Sequence, residues 1–237
     1  MAHIFVTGGS RGIGAAIVKH FANEGHNVSF TYKKSQAEAE ALSRSTGALS
    51  ICADGQNEQA VTSAISFAMA NFGEIDCLIN CAGISSFQLF QDVSTAEWDE
   101  MMHTNLRAPF FYIRECLPSM IAKKQGSIIN ISSIWGMVGA SCEVLYSTTK
   151  AALIGMTKAL AQEVAPSGIR VNAIAPGVIQ TAMNDHLDQE SKDALAEEIP
   201  MGRFGTVEEV AKMVYYFAMV DTYTTGQVIS PNGGMVV

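Results

Sequence analysis

Apolar positions along this chain follow two rhythms that take turns. Short runs that are apolar at nearly every position, at 2–7, 27–32, 48–53, 76–80, 127–132, 169–175 and 227–229, predict strands, several of them buried on both faces. Between them, 11–24, 57–72, 101–124, 145–165 and 206–219 carry apolar residues at three- and four-residue spacing, as helices with one face on a core do. Strand–helix alternation of this kind calls for right-handed crossovers and a parallel sheet covered on both sides. The expected fold is α/β: a single domain over 1–237, doubly wound, with a parallel sheet of about seven strands and helices on both faces. No Pro-, Gly- or Ser-rich linker, charge run or repeat divides it. Only 180–204 interrupts the rhythm, with Asp185, Asp188, Glu190, Lys192, Asp193, Glu197 and Glu198. A solvated helical excursion and a mobile lid over a cleft both fit that segment.

Composition narrows the class. Hydrophobic residues make up 48% of the 237 and charged residues 16%, enough apolar surface for a large core. The formal net charge of −8 argues against nucleic acid as a main partner and supplies no polybasic membrane anchor. No apolar run reaches the roughly 18 residues of a membrane span, and Met1-Ala2-His3 enters the first strand without a basic region or cleavage site. A cytoplasmic location is expected. The five cysteines, Cys52, Cys77, Cys81, Cys116 and Cys142, lack zinc-site spacing and are expected to be small buried hydrophobes with neither metal nor disulfide.

Chemistry enters with Thr7-Gly8-Gly9-Ser10-Arg11-Gly12-Ile13-Gly14, which joins the first predicted strand to the first predicted helix. Glycines there let a pyrophosphate approach backbone N–H groups and the positive end of a helix, so Gly8, Ser10, Arg11, Gly12, Ile13 and Gly14 are candidate dinucleotide ligands. The second strand ends in Lys33-Lys34-Ser35 with no acid to accept from a free ribose. Lys33 together with Arg11 suits a 2′-phosphate, which favours NADPH over NADH. Asp54, after the third strand, is a candidate acceptor for the adenine amino group. Asn80-Cys81-Ala82-Gly83, after the fourth, offers small residues (Ala82, Gly83) beside the cofactor ribose, and Asn80 is included in that site.

Tyr146 and Lys150 are four apart on a predicted helix and share a face. A nearby ammonium is expected to lower the phenol's pKa from about 10 and so improve it as an acid. A strand-end serine, Ser132 or Ser133, would be a second donor to a substrate oxygen.

Thr-Gly-x-x-x-Gly-x-Gly, Asn-x-Ala-Gly, the strand-end Ser, Tyr-x-x-x-Lys and Pro176-Gly177-Val178-Ile179-x-Thr181 together resemble the short-chain dehydrogenase/reductases, over the length of the chain. The resemblance implies a Rossmann fold in which Tyr146 is the general acid and Ser133 orients the carbonyl. It implies that Lys150 tunes Tyr146 and binds the nicotinamide ribose, and that Asn105 holds a proton-relay water. Pro176, Gly177, Ile179 and Thr181 would lie at the nicotinamide. The family is typically tetrameric through its central helices and C-terminal strand, so a homotetramer is implied.

Two branches are resembled. The stretch from Gly202 to Ala211 and the Pro231-Asn232-Gly233-Gly234-Met235 ending look like 3-oxoacyl-[acyl-carrier-protein] reductases of fatty-acid synthesis. That branch implies an acidic carrier and a basic docking patch near the cleft, of which Lys124 would be part, with Ser167 where arginine is common. Ser132-Ser133-Ile134-Trp135-Gly136 and the run from Gly139 to Tyr146 are similar to reductases of a protein-bound ketone, the 5-aminopentanone on a lysine of elongation factor P. Glu143, three before Tyr146, would pair with that substrate's ammonium.

Overall fold

The computed structural model describes residues 1–182 and 188–236. Seven parallel strands form one sheet: β1 (His3–Thr7), β2 (Asn27–Tyr32), β3 (Leu49–Cys52), β4 (Cys77–Asn80), β5 (Gly126–Ile131), β6 (Ile169–Ile174) and β7 (Val228–Ile229), in the order β3-β2-β1-β4-β5-β6-β7. Each lies within one residue of the run that predicts it. The chain leaves β1 toward β2 and returns to its other side as β4, so the strand order reverses between β1 and β4. In open α/β sheets ligands bind outside the strand ends at such a point.

The helices are α1 (Gly12–Asn23), α2 (Gln36–Thr46), α3 (Glu58–Phe72), α4 (Thr95–Met102), α5 (Ala108–Lys123), α6 (Trp135–Val138), α7 (Val144–Val164), α8 (Gln189–Glu197) and α9 (Val207–Tyr215). Successive residues of β1 face opposite cores. Ile4 and Val6 pack with Ile17 and Phe21 of α1 and Val210 and Val214 of α9. Phe5 packs with Val61 and Ile65 of α3 and Phe111 and Tyr112 of α5. This two-residue alternation is why the strand reads as continuously apolar.

The predicted helix over 101–124 is two helices, α4 and α5, joined by a π-helical turn at His103–Arg107. The backbone stays helical through the turn, so the sequence shows no break there. A second π-helical turn, Tyr216–Val220, ends α9. Arg170 donates to the carbonyls of Phe217 and Ala218 at 2.6 and 2.9 Å and lies 3.7 Å from Asp221, holding that turn against β6. In the charged segment, α8 buries none of its residues, as a solvated excursion would; the part of the segment at 183–187 lies outside the described residues. Among the described residues no helix is long and apolar enough to cross a membrane. Cys77 and Cys116 are buried as expected, whereas Cys52 is exposed at the end of β3, where the strand alternates outward.

Candidate active site

Strand ends β1, β4 and β5 carry the site. Thr7 closes β1 opposite Asn80 of β4, and its Oγ1 accepts from the backbone N–H of Cys81 and Ala82 at 3.0 and 3.1 Å. That bond pair presses the 81–83 loop against the glycine loop: a Cβ on Gly8, which sits at φ +67°, would lie 2.8 Å from the Ala82 Cα. A Cβ on Gly14 would lie 2.2 Å from the Gly8 carbonyl oxygen, so only bare backbone fits the turn. Thr31 of β2 fixes the other side, accepting from Gly8 N at its hydroxyl and from Gly9 N at its carbonyl.

Arg11 stands at the N-cap of α1 without a side-chain cap, and the first turn holds no acid. The opening N–H groups of α1 thus face a glycine-walled hollow with no side-chain oxygen of their own. A pyrophosphate fits that donor set. Thr181 packs over Gly12, where its Cγ2 would meet a Cβ at 3.6 Å.

At the adenosine corner, Lys33 and Asp54 are joined by a 2.7 Å ion pair, both about half exposed. The sequence treats them as separate ligands; the structure makes them partners. Lys33 and the N–H of Gln56 hold the Asp54 carboxyl below its ordinary value, although partial burial works the other way.

Asn80 is buried at the end of β4, its Nδ2 donating to Asn130 Oδ1 at 2.9 Å and Asn130 in turn donating to Thr157 of α7, while its own Oδ1 has no protein partner among the described residues. Gly177 has a structural reason: a Cβ there would lie 2.9 Å from the Asn232 Cα. Its N–H donates to Pro231 O, while Pro176 O accepts from Ile134 N. Ile179 is buried and pairs in register with Gly205.

The proton-transfer group lies on α7 beneath the end of β5. Of the two serines, Ser132 donates to the Lys150 carbonyl, whereas Ser133 Oγ accepts from the Trp135 N–H at 3.2 Å and is near enough to the Tyr146 phenol to lower its pKa. Lys150 is buried, with Nζ donating to Ile131 O at 2.8 Å and 5.5 Å from the Tyr146 ring centre. A Cβ on Gly83 would sit 3.3 Å from that Nζ and 3.4 Å from Asn105 Oδ1, so this glycine keeps the loop clear of both.

The expected lowering of the Tyr146 pKa is not what the protein alone does. Burial pushes the phenol up to about 12, opposed by the Ser133 hydrogen bond, and the Glu143 charge adds to the rise. Burial brings Lys150 down to about 8. Desolvation dominates at both groups because both are enclosed. The Asn105 side chain makes three hydrogen bonds to protein. It accepts from Ile84 N, and it donates to Ile84 O and to Thr149 Oγ1. Glu143 precedes α7, half-buried, close enough to act on Tyr146.

Lys124 and Ser167 are neighbours: a Cβ on Gly168 would lie 2.4 Å from the Lys124 carbonyl. Both precede strands, at the sheet edge opposite Tyr146, so within one chain they do not adjoin the cleft as expected. Parallel strands put all their N-terminal ends on that far edge.

A glycine-walled phosphate hollow beside a buried Ser–Tyr–Lys cluster defines a nicotinamide-dependent oxidoreductase site. The chain belongs to the short-chain dehydrogenase/reductases: the family described as enoyl-(acyl carrier protein) reductase matches over residues 8–236. It is 39% identical over 236 residues to the 3-oxoacyl-[acyl-carrier-protein] reductase FabG of Staphylococcus aureus, covering 97% of this chain and 96% of that one. It is 41% identical over 236 residues to the FabG of Aquifex aeolicus, with 97% and 95% covered. The solved structure of ElxO with NADP bound superposes with a TM-score of 0.92 at 34% identity, covering 99% of this chain and 98% of that one. A Serratia marcescens short-chain dehydrogenase/reductase variant superposes at 0.91 and 34% identity, covering 100% and 98%. The chain is accordingly an oxidoreductase acting on a carbonyl/hydroxyl pair.

Proposed function

We propose that the chain reduces a 3-oxoacyl group on an acyl-carrier protein to the 3-hydroxyacyl form, with NADPH as reductant and Tyr146 as proton donor. The observation that carries this reading is the buried Lys150 ammonium 5.5 Å from the Tyr146 ring centre, bordered by the loop at Gly83 that leads to the glycine turn. The names of the FabG relatives support the substrate, and the NADP in ElxO supports the cofactor.

Backbone of Gly8, Ser10, Gly12, Ile13 and Gly14 would hold the pyrophosphate, Arg11 and Lys33 the 2′-phosphate, and Asp54 the adenine. The 81–83 loop and Lys150 would flank the nicotinamide ribose, with Pro176, Gly177, Ile179 and Thr181 at the nicotinamide. When bound, NADPH supplies the hydride. A carbonyl oxygen arriving beside Tyr146 would accept from the hydroxyls of Ser133 and Tyr146, two donors to the atom where charge develops. As negative charge grows on that oxygen, the Tyr146 O–H bond breaks and its proton completes the alcohol. A phenol with a pKa near 12 is fully protonated at neutral pH, as a donor must be. The phenolate left behind is stabilised by Ser133 and by the Lys150 ammonium, which Ile131 O anchors. Asn105 holds the loop and helix that flank these groups and a water that returns the proton.

The same reading makes the enzyme a cytoplasmic homotetramer; exposed Phe67 and Phe110 on α3 and α5, and Tyr216 and Val220 ahead of β7, are apolar surface for such packing. Glu143 favours a second reading, because a carboxylate felt at Tyr146 suits a cationic ketone such as the 5-aminopentanone of elongation factor P. The test is NADPH oxidation with acetoacetyl thioesters, run beside Glu143→Gln. Robust turnover untouched by the substitution supports the carrier-protein substrate. Negligible turnover by a protein that binds NADPH tightly transfers the assignment to the modified elongation factor.

A further inference from the structure

The turn after β3 is built between two functional regions. Asp54 Oδ2 holds Lys33, while Asp54 Oδ1 accepts from the N–H of Gln56 at 3.1 Å. The Gln56 side chain then reaches across to another loop altogether, donating from Nε2 to Thr104 Oγ1 at 2.8 Å. Thr104 lies in the π-helical turn immediately before Asn105. The intervening Gly55 packs closely on the start of α5: a Cβ would stand 3.1 Å from the Ala108 Cβ and 3.4 Å from the Tyr112 ring. The turn and the π-helical turn are thus packed together, and Gln56 is the side-chain hydrogen bond that sets their register.

The Asn105 side chain bonds to Ile84, next to Gly83, and to Thr149, whose hydroxyl donates to Tyr146 O. Moving the π-helical turn by a fraction of an ångström moves both the loop that borders Lys150 and the helix that carries Tyr146. Such turns are costly insertions that persist where neighbours hold them. We infer that Gln56 is a positioning residue, which ties the adenosine corner at Lys33 and Asp54 to the turn that places Asn105. The inference rests on the functional reading above.

Gln56→Met and Thr104→Val each remove one end of the bond at nearly constant shape. Loss of one hydrogen bond that matters only for geometry at the reacting atoms should lower kcat about three- to tenfold, with NADPH Kd changed less than about twofold. The double variant should be no slower than the slower single one, since both remove the same bond. Unchanged kcat in both single variants, losses that multiply in the double, or NADPH binding weakened as much as kcat would each overturn the role. Amide exchange at residues 84 and 103–107 reads the same tie without turnover: protection should fall in both variants, and unaltered protection contradicts it. A wild-type protein that turns over no ketone with NADPH refutes the functional reading instead, leaving the exchange result to decide Gln56.

Discussion

Gly14→Ala puts the phosphate hollow to a quantitative test. The added methyl would lie 2.2 Å from the Gly8 carbonyl oxygen, about 1.2 Å short of the 3.4 Å at which ordinary contact begins. Neither side can yield cheaply. Gly14 is in the first turn of α1, locked under β1 by the Ile17 and Phe21 packing. Gly8 is pinned between Thr31 and Ala82. The loop must therefore open by about an ångström, which takes backbone N–H groups out of reach of a pyrophosphate. Two charge-assisted hydrogen bonds lost at about 1.5–3 kcal/mol each give a loss of about 3–6 kcal/mol, or roughly 10²- to 10⁴-fold in NADPH affinity. The assay is a fluorescence titration of NADPH against wild type and variant, with thermal unfolding in parallel to confirm that both are folded. A folded Gly14→Ala protein binding NADPH within about threefold of wild type would show that the hollow does not hold the pyrophosphate.

Lys33→Asp combined with Arg11→Ala should weaken NADPH more than NADH, because both cations are assigned to the 2′-phosphate; equal losses by titration would remove that assignment. Arg170→Met should destabilise the fold by about 2–4 kcal/mol, since it removes the donors to two carbonyls of a π-helical turn and the cation beside Asp221, and urea unfolding should show it without a change in the Tyr146 region. Reduction should be steady at neutral pH and decline as pH rises through about 8, where Lys150 gives up its charge while Tyr146, near 12, stays protonated. A kcat profile flat to pH 10 would show that the ammonium is not needed.

The doubly wound sheet was legible because its central strands β1, β4 and β5 are buried on both faces and read as largely apolar runs. Helix α2 was less so: its buried residues are only Ala39 and Leu42, too few to stand out in Gln36–Thr46. Motif spacing brought Ser133, Tyr146, Lys150 and the glycine loop to one place, since each sits at a strand end or on one helix face. What stayed hidden is pairing across loops. Lys33 with Asp54, Asn80 with Asn130, Gln56 with Thr104 and Thr7 with the 81–82 amides join residues 20 to 75 apart, and no local pattern announces them. Likewise the pKa of Tyr146 depends on how deeply both it and Lys150 are enclosed, which spacing on a helix does not contain.

The most direct measurement is the pair of NADPH titration and steady-state ketone reduction on wild type and Tyr146→Phe. Removing only the phenolic O–H should leave NADPH affinity within about twofold and lower kcat by roughly 10²-fold or more. A Tyr146→Phe enzyme that keeps most of its turnover would contradict the assignment of Tyr146 as the proton donor.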